Sequence, residues 1–141
     1  MAFVFNPFTG TFDIDTTSSS TDGTTSADGE YSVPSGSAVG DLMYANGALS
    51  ADVADNGSEA TIPAIGMIIA KPTSTTATVK YVGKVGGFTG LTTGSDYFLG
   101  TSGGIILAAS LPTAAGSVIQ NIGVAVSTTE ILLNIKLPVV V

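Results

Sequence analysis

The sequence predicts an all-β protein, a small antiparallel β-barrel or sandwich with an extended N-terminal arm. Three observations point there. Charged residues are only 11% of the chain against 44% hydrophobic ones, 18 glycines are present, and Ser and Thr stand where Lys, Glu and Arg usually do, which is the composition of a β-rich protein with a weakly charged surface. From Tyr31 onward no helical period is sustained, and short apolar runs closed by turn residues recur about every 8–12 positions. A chain of 141 residues suits one domain, able to bury about two-thirds of the surface its unfolded form exposes.

The first element is aromatic. Phe3, Phe5, Phe8 and Phe12 fall within a dozen residues, with Pro7 among them. Burying four Phe side chains contributes at most about 20 kcal/mol, and fixing about ten backbone residues costs about 10–20 kcal/mol. With the two so close, the segment gains little by ordering in water and orders where a preformed groove also supplies backbone partners. Phe3, Phe5, Pro7, Phe8 and Phe12 are therefore candidate partner-binding residues of an intermolecular arm; the alternative is that they cap the protein's own barrel. From Asp15 to Gly29 no apolar residue exceeds Ala, so this stretch reads as a linker. Residues 1–32 are assigned as arm and linker, and 33–141 as the β-domain.

Within that domain, Ala38 to Ala51 reads as a hairpin turning at Asn46-Gly47, since both positions tolerate positive φ. Ile62 to Lys71, a nearly continuous apolar run closed by Pro72, reads as a buried strand. Thr76 to Val85 alternates, with Val79, Tyr81 and Val85 on one face and Thr78, Lys80 and Lys84 on the other. Asp96–Leu99 and Ile105–Ala108 flank a glycine turn and form a second hairpin. Ser117–Val126 and Glu130–Leu137 complete the set of eight or so strands around Ser127-Thr128-Thr129, with Ile131, Leu133, Ile135 and Leu137 sharing a face. Pro138 interrupts the last strand, and the tail Leu137, Val139, Val140 and Val141 either packs on the core or pairs with a neighbouring subunit by strand addition; the subunit contact is expected.

Eleven acidic residues against four Lys, with no Arg, leave a net charge of −7. Nucleic acid and anionic membrane surfaces are excluded as expected partners, because both require clustered cations. The start lacks a basic n-region and its apolar run breaks at Asn6-Pro7, so it does not read as a secretory signal, and no apolar run reaches membrane-spanning length. Without His or Cys there is no histidine base, thiol nucleophile, disulfide or Cys/His zinc site. Asp13 with Asp15, and Asp52, Asp55 and Glu59, are the carboxylate groupings open to acid/base work, but they lie in polar, loop-like text with no neighbour to perturb them. The Asp52–Gly57 stretch superficially matches a calcium loop and fails at its third and twelfth positions, Ala54 and Pro63. No catalytic residue, metal site or cofactor is assigned.

The order Val39-Gly40-Asp41-Leu42-Met43-Tyr44, Ala51-Asp52-Val53-Ala54, Ile65-Gly66-Met67-Ile68, Gly90-Leu91-Thr92-Thr93-Gly94-Ser95-Asp96-Tyr97-Phe98-Leu99-Gly100 and Val118-Ile119-Gln120-Asn121-Ile122-Gly123-Val124 resembles a β-domain of tailed-bacteriophage structural proteins, among them head decoration (cement) proteins and segments of tail fibres. The opening Phe5-Asn6-Pro7-Phe8-Thr9-Gly10-Thr11-Phe12-Asp13 is similar to N-termini of phage tail and structural proteins. The match covers the chain from about Val39 and the first fifteen residues, and it rests on a recurring hairpin formula rather than an active-site signature. The resemblance implies a virion protein made in the host cytoplasm. One domain with an arm suits a decoration protein on the outer capsid surface, trimeric, with the major capsid protein as partner. A short tail fibre or receptor-binding module is the alternative, and a carbohydrate-processing enzyme the remaining one.

Overall fold

The computed structural model describes residues 27–141 throughout and residues 2–6 and 11–15 as backbone. It is all-β. In chain order the strands are β1 (Ala2–Asn6), β2 (Thr11–Asp15), β3 (Asp28–Ser32), β4 (Leu42–Gly47), β5 (Ser50–Val53), β6 (Ala64–Thr73), β7 (Thr76–Lys80), β8 (Val82–Val85), β9 (Asp96–Leu99), β10 (Ile105–Leu107), β11 (Val118–Ile119), β12 (Asn121–Ala125), β13 (Ile131–Asn134) and β14 (Val139–Val140). β3, β5, β4, β6 and β7 close into a barrel; β10, β9, β12, β13 and β8 form an open sheet in that order; β11 pairs with β14, and β1 with β2.

The two larger layers share walls. In β4, Leu42 faces the core between barrel and sheet while its neighbour Met43 faces the barrel interior, and in β6 Met67 and Ile68 divide in the same way. All four side chains are fully buried. A strand buried on both faces reads as a continuous apolar run, which is why Ile62–Lys71 shows no alternation. The barrel interior is completed by Val33, Ala51, Ala77 and Val79, and the shared core by Leu99, Ile122, Ile131 and Leu133 from the sheet. Gly66 allows β6 to lie this close to β7: a Cβ there would meet the Lys80 carbonyl oxygen at 2.5 Å.

Several expectations are corrected. Residues 28–32, placed above in the arm and linker, form a barrel strand: β3 pairs with β7 from Asp28↔Lys80 to Ser32↔Thr76 and bridges to β5 at Ser32↔Ser50. Its mostly polar residues hid it: Tyr31 packs against the barrel core, and backbone pairing holds the rest. Gly29 also leaves the space that the Tyr81 hydroxyl fills, one a Cβ would occupy. The β4–β5 turn lies at Ala48-Leu49, two residues beyond Asn46-Gly47, with Leu49 at φ 49°. Pairing Ala45 with Ala51 leaves Asn46 in a bulge, so the register that buries Met43 and Ala51 overrides the Asn-Gly signal.

Strand ends move for related reasons. The run Thr76–Val85 divides at Tyr81, β7 closing the barrel and β8 joining the open sheet, so Val79 and Val85 occupy different cores. Likewise Ser117–Val126 divides at Gln120 into β11 and β12. β6 continues through Pro72, which lies beside an irregularity between Ala70 and Thr73 where a missing ladder donor is tolerated. Ile131 and Leu133 are buried and Ile135 packs against them, but Leu137 at the end of the predicted face is 88% exposed. The arm is a hairpin rather than a single extended strand, with β1 and β2 in register from Ala2↔Asp15 to Asn6↔Thr11.

Candidate functional site

The carboxylates come first, because they were the chain's only grouped acid/base candidates. Asp55 is committed to the backbone: one oxygen accepts from the Gly57 N–H at 2.7 Å and the other from the Ser102 N–H at 2.9 Å. That second bond, with Gly103 N–H donating to the Ala54 carbonyl at 2.7 Å, pins the β9–β10 turn to the end of β5. Asp52 accepts from the Val53 N–H at 2.7 Å and Asp41 from the Ala38 N–H at 2.9 Å. Among the described residues no three acidic side chains gather into a metal-binding group. Of the acidic pair Asp13 and Asp15, only the backbone in β2 is described.

Gln120, at the break between β11 and β12, is a buried polar hinge. Its side-chain oxygen accepts from the Ala64 N–H at 2.9 Å, and its amide donates to the Ala64 carbonyl at 3.1 Å and the Lys136 carbonyl at 3.0 Å. One side chain thus satisfies the start of β6 and the segment after β13, joining barrel to sheet. Composition cannot show this role; only the topology brings the three segments together.

Tyr31 and Tyr81 form the other polar cluster, their hydroxyls 2.7 Å apart and their rings edge to face at 6.3 Å. The Tyr81 phenol is pushed up to about 12, first by burial, then by its hydrogen bond to Tyr31 and by the charges of Tyr31 and Asp28. The phenol stays neutral at ordinary pH, packed against the barrel core.

The C-terminal tail pairs within its own chain. β14 pairs with β11 of its own chain, Val118↔Val140 and Ile119↔Val139, and the Val141 N–H and carbonyl bond to Ser117 and Gly116. This pairing holds one side of the tail's backbone within its own chain. Its side chains are another matter: Leu137, Val139, Val140 and Val141 all remain exposed. Leu137 and Pro138 border an open groove of about 430 Å³, with Ile65, Val82 and Ile135 as further apolar walls and Gln120 among its lining residues. Of the arm candidates, Phe3, Phe5 and Phe12 have described backbone in the β1–β2 hairpin, and Pro7 and Phe8 lie outside the described residues.

The open sheet has two edges of contrasting chemistry, which no strand-by-strand reading reveals. At β8, the Lys80 ammonium donates to the Lys84 carbonyl at 2.8 Å, and Lys84 pairs with Glu130 at 3.4 Å. Charged side chains guard that edge. At β10 the residues are Ile105, Ile106 and Leu107, and positions 97–129 contain no charged residue. Gly100 N–H donates to the Gly104 carbonyl and Leu99 N–H to the Gln120 carbonyl, so ladder alternation turns the N–H and carbonyl groups of Ile105 and Leu107 away from β9. Beside this edge lies a groove of about 500 Å³ lined by Phe88, Leu91, Tyr97, Ile105 and Leu107 among others.

Against known proteins the chain stands apart: no family model matches it, and neither a curated protein nor a solved structure does.

Proposed function

We propose that this chain is a structural protein of a bacteriophage virion, a capsid decoration or cement protein that binds the major capsid protein lattice on the outer surface of the head and stabilises it. The observation that carries the reading is the division of labour among its side chains. Asp41, Asp52 and Asp55 hold loop backbone, while large apolar residues stay on the surface at Leu137, Val139, Val140 and Val141. A molecule arranged this way works by adhesion. The sequence resemblance supplies the setting, and the expected trimer multiplies weak contacts, each copy burying about 800 Å² per partner in a standard interface. The excess of acid suits a face turned away from packaged DNA.

In this account the β-domain sits where capsid subunits meet and the arm reaches across to a neighbour. Sedimentation of purified particles tests the location: the chain is expected with DNA-filled heads. Recovery on purified tails alone would replace this reading with the short-fibre or receptor-binding one. Deleting residues 1–14 is expected to leave a folded β-domain with weakened particle binding, whereas loss of the fold would make the aromatic segment an intramolecular cap.

A further inference from the structure

The arm and the open edge are complementary surfaces on one chain. Residues directly opposite in an antiparallel pair share a face, so Phe3↔Ile14 and Phe5↔Phe12 place four apolar positions on one face of the β1–β2 hairpin, and Ala2↔Asp15, Val4↔Asp13 and Asn6↔Thr11 fall on the other. A two-stranded hairpin is marginal by itself in water and needs a third strand or a packing surface. Among the described residues no third strand joins it, and none joins the outer side of β10.

We propose that the β1–β2 hairpin of one copy adds to the β10 edge of a second copy of this chain. The juxtaposition is a donor with one apolar face and an uncharged outer strand, and an acceptor edge that is uncharged and bordered by a groove with Phe88, Leu91 and Tyr97 among its walls. β1 reads Ala-Phe-Val-Phe-Asn, so it brings no charge against Ile105, Ile106 and Leu107, while Asp13 and Asp15 on β2 stay one strand farther out. The reverse arrangement, with β2 or the guarded β8 edge in contact, would set Asp13 and Asp15 in an apolar seam or require displacing Lys80 from the Lys84 carbonyl. The apolar hairpin face then lies over the groove formed by Phe88, Leu91 and Tyr97.

Donor and acceptor are different surfaces of the same chain, so copies join by reciprocal exchange of arms in a two-fold dimer or head to tail in a closed ring. Residues 16–26 can span up to about 40 Å, enough to reach a neighbouring domain. The proposal rests on the reading that the arm works between molecules, and it names the acceptor as a second copy at β10.

The chain has no cysteine, so cross-linking tests this cleanly. Leu107→Cys is combined in turn with Phe3→Cys, Val4→Cys and Phe5→Cys, and each full-length double variant is oxidised. For at least one pairing a disulfide-linked dimer or larger closed oligomer is expected; a monomer cross-linked within itself, or no cross-link at any of the three positions, overturns the proposal. Leu107→Lys, which copies the guard present at β8, is expected to sediment as a monomer where the parent self-associates, with unchanged far-UV circular dichroism. Self-association retained in that variant also overturns it. Binding of Leu107→Lys to DNA-filled heads separates the two readings: a monomer that still binds heads supports the edge assignment and the capsid role, whereas a parent that cross-links between copies but never binds heads keeps the edge and removes the capsid.

Discussion

The barrel and the open sheet are built from similar short strands, yet only one of them has edges. β3 closes the barrel, pairing along its length with β7 and bridging to β5 at Ser32↔Ser50, while the sheet beside it ends in β8 and β10. The chain guards β8 with Lys80 and leaves β10 bare. The difference teaches where adhesion belongs in such a molecule: the closed layer holds the shape, and the open layer is available for contact.

If the two layers are one cooperative unit, the largest effects come from their shared wall. Leu42→Ala and Met43→Ala, neighbours facing different cores, are each expected to cost about 2–5 kcal/mol and to lower the same single transition in urea. Two separate transitions would show that barrel and sheet unfold independently. Next comes the polar hinge between them. Gln120→Leu strips partners from the Ala64 N–H, the Ala64 carbonyl and the Lys136 carbonyl, and a loss of about 3 kcal/mol in the same experiment is expected. A neutral result would mean that those groups find water or each other.

Tyr81, packed against the barrel core, gives a pH signature. The folded-state pKa of Tyr81, about 12, lies above the ordinary phenol value of 10.0, so the folded chain holds its proton more tightly than the unfolded chain. The stabilisation is fully present below pH 10 and is lost as pH rises toward 12. Urea midpoints measured across that window are expected to fall, and Tyr81→Phe to fall less. Equal slopes would remove the Tyr31–Tyr81 pair from the account of the barrel. The smallest change in stability is expected at the tail: Leu137→Ser, at an 88% exposed position, should shift unfolding by no more than about 0.5 kcal/mol while weakening attachment to heads. A large stability loss with unaltered attachment would turn the tail into a structural element only.

Much of this was legible in residue order. Alternation in Ile131 and Leu133, the glycine turn before Ile105 and the two-faced apolar run in β6 announced strands in their right places. Three kinds of information were not. Asp28–Ser32 carries no apolar signature, so its membership in the barrel depends on backbone partners far along the chain. Asn46-Gly47 is the strongest local turn signal present, and long-range burial of Met43 and Ala51 displaced it. Strand order fixes which strands become edges, and neighbours such as Lys80 and Lys84 become a guard only once β8 lies outermost. For the candidate site, the exposed tail side chains were legible and the in-chain pairing of β14 was not, because Val118 and Val140 meet only after the sheet has formed.

Amide hydrogen exchange, compared between the chain diluted to monomer and the chain at concentrations where it self-associates, addresses the division between closed and open layers most directly. Gained protection is expected at Ile105–Leu107 and in residues 2–15, with the barrel strands unchanged. Protection gained only across β3, β5 and β7, with the β10 edge exchanging as freely as before, would contradict it.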